Sequence, residues 1–205
     1  MNEVRRVEQV LDRAPAARRE RERAWIDASR RGDARAFNHL VLRWETPIYN
    51  LARRMLHDAD EASEATQEVF LAAFRNIRRF RGGAKFSSWL YRIAANHCLS
   101  RLKRRPRAVP IVSDRDAAAA VSDTGSPETE LLLDERRRQV AGALAETDPD
   151  QRIVVELKIY HDRTFDEIAD ILSIPASTTK SRFYAGLATV RRRLERVTAR
   201  DRRRR

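Results

Sequence analysis

TFDEIADILSIPASTTKSR, residues 164–182, holds two short helical patterns with a proline at the joint. Thr164 followed by Glu167 spells a capping box: the hydroxyl accepts the third helical N–H and the carboxylate accepts the cap residue's own N–H. A helix therefore starts at Phe165, with Ile168, Ala169 and Leu172 as its inward stripe, and Ser173-Ile174-Pro175 ends it. A second helix begins near Ala176. At about 100° per residue, Phe183, Leu187, Val190 and Leu194 fall on one side of it, and Ser177, Thr178, Ser181 and Arg182 on the other. Two helices joined by a three-residue turn match the helix-turn-helix, whose second helix enters the major groove with its N-terminal residues at base edges and phosphates. Hydroxyls suit either contact, and Arg182 suits a guanine edge or a phosphate. Ser177, Thr178, Lys180, Ser181, Arg182 and Tyr184 are the candidate duplex-reading residues, with Arg182 expected to read a base and Lys180, nearer the helix border, a phosphate. An ordinary helical hairpin with a polar outside has the same spacing.

The surrounding chain agrees with a polyanionic partner. Its 205 residues carry a formal charge of +12 and 42% hydrophobic residues, room for one or two small cores. Cys98 is the only cysteine, which excludes an internal disulfide framework and a Cys-rich zinc site and suits a reducing cytoplasm. No apolar run reaches signal-peptide or membrane-span length. Few glycines, no alternating β-branched runs and apolar spacings of three and four predict an all-α protein.

Breaks in the pattern divide it. Residues 1–20 are charged and lack an apolar stripe, reading as a mobile arm. Residues 21–107 are helical with aromatics interleaved. RPRAVPIVSDRDAAAAVSDTGSPE carries three prolines, and 108–127 reads as a flexible linker. A second helical domain follows over 128–200, a helix-turn-helix without a wing, then a basic tail at 201–205. Pro127 and Pro149 stand at first helical positions, behind the caps Ser126 and Asp148. Each half holds about four helices.

In the first half, DADEASEATQEVFLAAF sets Asp60, Glu64 and Glu68 at successive i, i+4 positions beside Glu61, with Gln67 on the same face and no Lys or Arg interposed. Like charges at that spacing repel by a few tenths of a kcal/mol, roughly, per pair. Acids near a helix N-terminus complement its dipole, so the face is either simply solvated or it meets a basic protein partner. Gly82-Gly83 then breaks the chain before a helix from about Phe86 to Arg105. Ser88, Arg92, Asn96 and Lys103 share one side of it, bordered by Trp89 and Tyr91, with Arg81 and Lys85 in the approach. Basic groups follow phosphates and aromatic faces stack on unpaired bases, so this side fits a single strand, unless Trp89 and Tyr91 are core. Asn96 has two readings, an exposed base edge or a structural hydrogen bond. Phe74, Phe80 and Phe86 read as core, His97 as a buried, hydrogen-bonded histidine and Cys98 as a small buried hydrophobe.

GDARAFNHLVLRW, YNLARRMLHDADEASEATQEVFLAAFRNIRRFRG, FSSWLYRIAANHCLSRLKRR and IVVELKIYHDRTFDEIADILSIPASTTKSRFYAGLATVRRRL together, in this order, resemble the small two-domain bacterial sigma factors of the extracytoplasmic-function type, in the sigma-70 superfamily. The resemblance implies a factor that joins core RNA polymerase, directs it to a promoter and helps to open the duplex. It implies docking of the acidic helix on the clamp helices of the largest polymerase subunit, reading of the upstream-of-start element as a melted strand by FRGGAKFSSWLYRIAANH, a linker along the RNA exit path, and an anti-sigma factor as a further partner. Ser177 stands where the family has Gly and Thr179 where it has Val, the latter on the buried side. Thr147-Asp148-Pro149 replaces the usual Leu-Pro. An operator-binding regulator using the helix-turn-helix alone is the alternative. An enzyme is not indicated: there is no Gly-rich phosphate loop, no metal-spaced cluster, no nucleophile with an adjacent base, and His39, His57, His97 and His161 are scattered. No cofactor or metal is expected.

Overall fold

A computed structural model describes residues 15–82, 85–104 and 127–202. All of the expected linker but Pro127, most of the N-terminal arm and the end of the basic tail lie outside the described residues. Eight α-helices run in order among those described: α1 Pro15–Arg30, α2 Ala34–Leu56, α3 Ala59–Asn76, α4 Phe86–Arg104, α5 Pro127–Ala145, α6 Pro149–Ile159, α7 Phe165–Leu172 and α8 Ala176–Arg202. A 3₁₀ turn, Ile77–Arg79, follows α3. The fold is all-α, as its pattern predicts. α1 starts at Pro15, inside the segment read as an arm, because Trp25, Ile26 and Ser29 give it an inward stripe that packs on α2.

Local signals set the helix starts. Asp33 accepts from the backbone of Arg35 and Ala36 at 2.8 and 3.1 Å, Asp58 from Glu61 at 2.8 Å, and Asp148 from Asp150 at 2.9 Å. The Thr164–Glu167 capping box is closed in both directions, at 3.2 Å and 3.0 Å. α2 ends on His57 in the left-handed region, its N–H returning to the Arg53 carbonyl.

The two halves are not separate cores. α6 packs on α2 and α4, and α7 packs on α4. Ile153, Val154, Leu157, Ile168 and Ile171 of the second half join one apolar cluster with Leu40, Leu51, Leu90 and Tyr91 of the first. Inside this seam Arg152, 4% exposed, donates to the Met55 carbonyl at 2.9 Å, to the Thr147 carbonyl at 3.0 Å and to the Ala145 carbonyl. Those oxygens belong to the ends of α2 and α5, where helices leave carbonyls without intrahelical partners. One guanidinium thus satisfies the termini of two helices from different halves.

Replacing Arg152 by Ala strands those carbonyls at a cost of about 3 kcal/mol or more. Lys, a point donor without the planar fork, is expected to restore less than half of that. Urea unfolding of the three proteins checks this, and a lysine variant as stable as the parent would refute the fork.

Candidate nucleic-acid interface

The helix-turn-helix is formed by α7 and α8. Ser173, at φ 54°, turns the chain at the end of α7, and its N–H is accepted by the Ala169 and Asp170 carbonyls. Thr179 is fully buried, and its hydroxyl donates to the Pro175 carbonyl at 3.2 Å, so the polar atom that replaces an aliphatic one is satisfied. Ser177, Lys180, Ser181 and Tyr184 are exposed and Thr178 is half-buried. Phe165 and Phe183 meet edge to face at 5.4 Å behind them. Arg182 stands apart: half-buried, it lies 3.4 Å from Asp150 in the first turn of α6. The predicted duplex-reading set therefore splits into an open tip and one arginine held on its flank.

On α4 the spacing brings Lys85, Trp89, Arg92, Asn96 and Lys103 onto one stripe, with Arg81 exposed in the approach. Ser88 does not belong to it. It is buried, because α4 is enclosed on two sides, by α2 and α3 and by α7. Tyr91 is core, its hydroxyl 2.8 Å from His161 Nδ1 and its ring under the Arg163 guanidinium at 4.9 Å. Trp89 is half-buried against Phe80 and Phe86, with ring centres 5.3 and 5.6 Å away. Lys85 Nζ lies 2.7 Å from Glu167 Oε1, and Arg92 donates to the Asp170 carbonyl. Two of the stripe's cations are thus engaged by α7. Lys85, ahead of the Thr164 N–H, holds the Glu167 carboxyl below the usual range.

On α3, Asp60, Glu64, Gln67 and Glu68 are exposed and Glu61 is half-buried. Their repulsion is relieved from outside the helix: Arg101 of α4 lies 3.4 Å from Glu64 and 2.8 Å from Glu68. That hydrogen bond is the main reason the Glu68 carboxyl is held below its ordinary value. His97, expected to be buried, is partly exposed and lies 3.4 Å from Glu68. Cys98 is buried, and desolvation pushes its thiol up to about 12. Phe74, expected in the core, is 44% exposed, and Leu71 is 54% exposed. The inward stripe of α3 is Ala62, Ala65, Thr66, Val69, Phe70 and Ala73, which leaves Gln67, Leu71 and Phe74 on an outward row continuing the acidic face. Counting i, i+4, i+7 from Gln67 finds that row; reading Phe74 by its hydrophobicity misses it.

An acidic outward helix, a basic stripe edged by an aromatic and a helix-turn-helix in one all-helical chain define a protein that brings DNA and another macromolecule together. The family models described as Sigma-70 region 2 and Sigma-70, region 4 match residues 40–108 and 137–190. The RNA polymerase sigma-H factor of Pseudomonas aeruginosa is 32% identical, over 86% of this chain and 95% of its own length. The ECF RNA polymerase sigma-E factor of Escherichia coli is 31% identical, over 78% and 86%. In fold, the chain is similar to CnrH in its complex with the cytosolic domain of CnrY (TM-score 0.64, 20% identity, covering 85% of this chain and 97% of that one). It is also similar to the sigma factor RpoE in complex with the anti-sigma factor NepR from Bartonella quintana (TM-score 0.59, 21%, covering 78% and 96%). The chain belongs to the sigma-70 family of RNA polymerase sigma factors, in its extracytoplasmic-function group. It is a transcription initiation factor, and its partners are core RNA polymerase and promoter DNA. Among the described residues no helix is long and apolar enough to cross a membrane.

The seam between the region 2 and region 4 parts contains a buried carboxyl and a half-buried imidazole that titrate in opposite senses. Glu156 of α6, 1% exposed, lies 3.2 Å from Arg54 of α2. Desolvation outweighs Arg54 and Arg152 and pushes its carboxyl up from 4.5 to about 7. Burial, helped by Arg54 and Arg163, pushes His161 down from 6.5 to about 4. A raised carboxyl binds more protons folded than unfolded, so its contribution is lost as pH rises from 4.5 to about 7. A depressed histidine binds fewer, so its contribution grows as pH rises from about 4 to 6.5. The two oppose each other where the windows overlap. Relative to the parent, His161→Phe is expected to lose stability as pH rises through that overlap, and Glu156→Gln to gain it. Urea midpoints across the window check this, and parallel curves for all three proteins would contradict the assignment.

Proposed function

We propose that this sigma factor works through three separate surfaces. The outward row of α3, comprising Asp60, Glu61, Glu64, Gln67, Glu68, Leu71 and Phe74, docks on core polymerase. The α4 stripe with Arg81 and Lys85 tracks the melted strand, and the tip of α8 reads duplex. The polymerase- and strand-binding unit runs to about residue 107 and includes α1, and the duplex-reading unit occupies 128–200. The chain supplies no catalysis of its own and acts in the cytoplasm with the polymerase. An anti-sigma factor is a further partner, as for the RpoE of similar fold.

The observation that carries this reading is the composition of the α3 row. In a chain of charge +12 it is acidic and apolar, with two large hydrophobics about half exposed. Such a surface is unsuited to DNA and suited to a basic, partly apolar protein face. In a competition assay for core polymerase, Glu64→Lys with Glu68→Lys, and separately Leu71→Asp, should each weaken association about tenfold or more, an effect of roughly 1.4 kcal/mol. Arg101→Ala, which frees both carboxylates, should leave association unchanged or tighter. Unaltered binding by the first two variants would remove the docking role.

At the duplex tip the geometry favours roles opposite to those expected from the helical wheel. Arg182, held beside Asp150, suits a phosphate at the groove wall, and exposed Lys180, with Ser177, Ser181 and Tyr184, suits base edges. Arg182→Ala should weaken all duplex sequences alike and flatten the salt dependence by about one phosphate. Lys180→Ala should relax discrimination at one position by about 1 to 3 kcal/mol. Binding to a panel of single-base promoter variants separates the roles, and a sequence-specific loss in the Arg182 variant would reverse them.

A further inference from the structure

The α1–α2 turn and the 3₁₀ turn carry a concentration of charge that none of the three surfaces uses. Arg30, Arg31 and Arg35 come from the first, and Arg75, Arg78 and Arg79 from the second region; all six are exposed. They are brought together because α1 packs on the 3₁₀ turn. Gly32, at φ 101°, lets the chain turn there, and Arg78 Nη2 lies 3.1 Å from where a side-chain carbon on Gly32 would stand. The Arg78 guanidinium therefore rests on the backbone of the turn that bears Arg30 and Arg31.

Little acid offsets this charge. Asp27 lies 3.6 Å from Arg30. Asp33 is occupied as the N-cap of α2. No other Asp or Glu occurs in residues 27–35 or 75–85. The arginines also adjoin the strand stripe. Phe80, between Arg79 and Arg81, is buried against Phe86 and Trp89, so the cluster begins where the approach to α4 begins. Residues 27–35 contain no aromatic, Phe80 in 75–81 faces inward, and the half-exposed ring of Phe74 beside Arg75 leans on Phe37, so guanidinium forks rather than ring faces make up most of the cluster. Exposed guanidinium forks suit phosphates and carry no sequence preference.

We propose that this arginine saddle binds the sugar-phosphate backbone of single-stranded DNA, continuing the path of the melted strand beyond the α4 stripe. The inference rests on the reading of α4 as the strand-binding helix. It adds a sequence-independent grip to that site, open even while α7 engages Lys85 and Arg92.

The test uses the full chain and a labelled oligothymidylate of about 20 nucleotides, titrated between about 50 and 200 mM salt. The variant Arg31→Ala/Arg78→Ala/Arg79→Ala should reduce the slope of log K against log salt by about 2, since each single-strand phosphate contact contributes roughly 0.7, and should weaken binding about tenfold at low salt. A charge-matched variant, Arg19→Ala/Arg192→Ala/Arg196→Ala, controls for net charge, and helical content by circular dichroism controls for folding. Equal losses in the two variants, or none in the first, would overturn the saddle. So would a larger loss on a duplex of the same length, which would make it a duplex surface. Failure of the underlying reading shows separately: Arg92→Ala/Asn96→Ala in complex with core polymerase would then bind a template with a pre-opened bubble as tightly as the parent.

Discussion

The arrangement of the two halves depends on Arg152. Helix C-termini concentrate partial negative charge on carbonyls that have no donor of their own, and a buried end without a partner is costly. Here the ends of α2 and α5 meet around one guanidinium, so a cation that would be expensive to desolvate alone is hydrogen-bonded to Met55, Ala145 and Thr147. The apolar residues beside it, Ile153, Val154 and Leu157, then have only one way to pack, into the cluster that α2 and α4 line. Glu156, one turn on, faces Arg54 across the same seam.

The seam is uneven in strength. Its α2–α6 part is buried and carries a hydrogen-bonded cation whose removal would leave unsatisfied carbonyls, each worth about 1 to 3 kcal/mol. Its α4–α7 part includes Lys85–Glu167, with Lys85 largely exposed, and an exposed ion pair contributes only about 0 to 1 kcal/mol. Local opening is cheapest where few buried contacts are lost. Lys85 and Arg92 therefore come free of α7 at lower cost than α6 comes free of α2. That ordering matters because these cations lie on the stripe suited to a strand, and they cannot hold α7 and a phosphate together.

What could be read from sequence was what depends on neighbours in sequence. The Thr164–Glu167 box, the Asp148-Pro149 start and the Ser173-Ile174-Pro175 break are decided within four residues, and each stands where its chemistry put it. The stripe from Lys85 to Lys103 followed from helical geometry, as did the exposed tip of α8. The burial of Thr179 was legible for the same reason, although the acceptor that makes it tolerable, the Pro175 carbonyl, required the turn to be built.

What escaped was set by partners far along the chain. Nothing within α3 announces that Arg101 will neutralise Glu64 and Glu68, because the two helices meet only in the folded bundle. Ser88 looked exposed because a wheel drawn for α4 alone has one buried side, whereas α7 supplies a second. For Phe74, residue type and helical phase point opposite ways, and phase prevails: its ring leans on Phe37 at 5.1 Å while the residue stays 44% exposed. Arg182 lies by angle on the polar side of α8, and that angle does not reveal the aspartate on α6 beside it. In each case a side chain long enough to reach a second helix, or a helix with two packed faces, breaks the rule that one amphipathic stripe marks the inside.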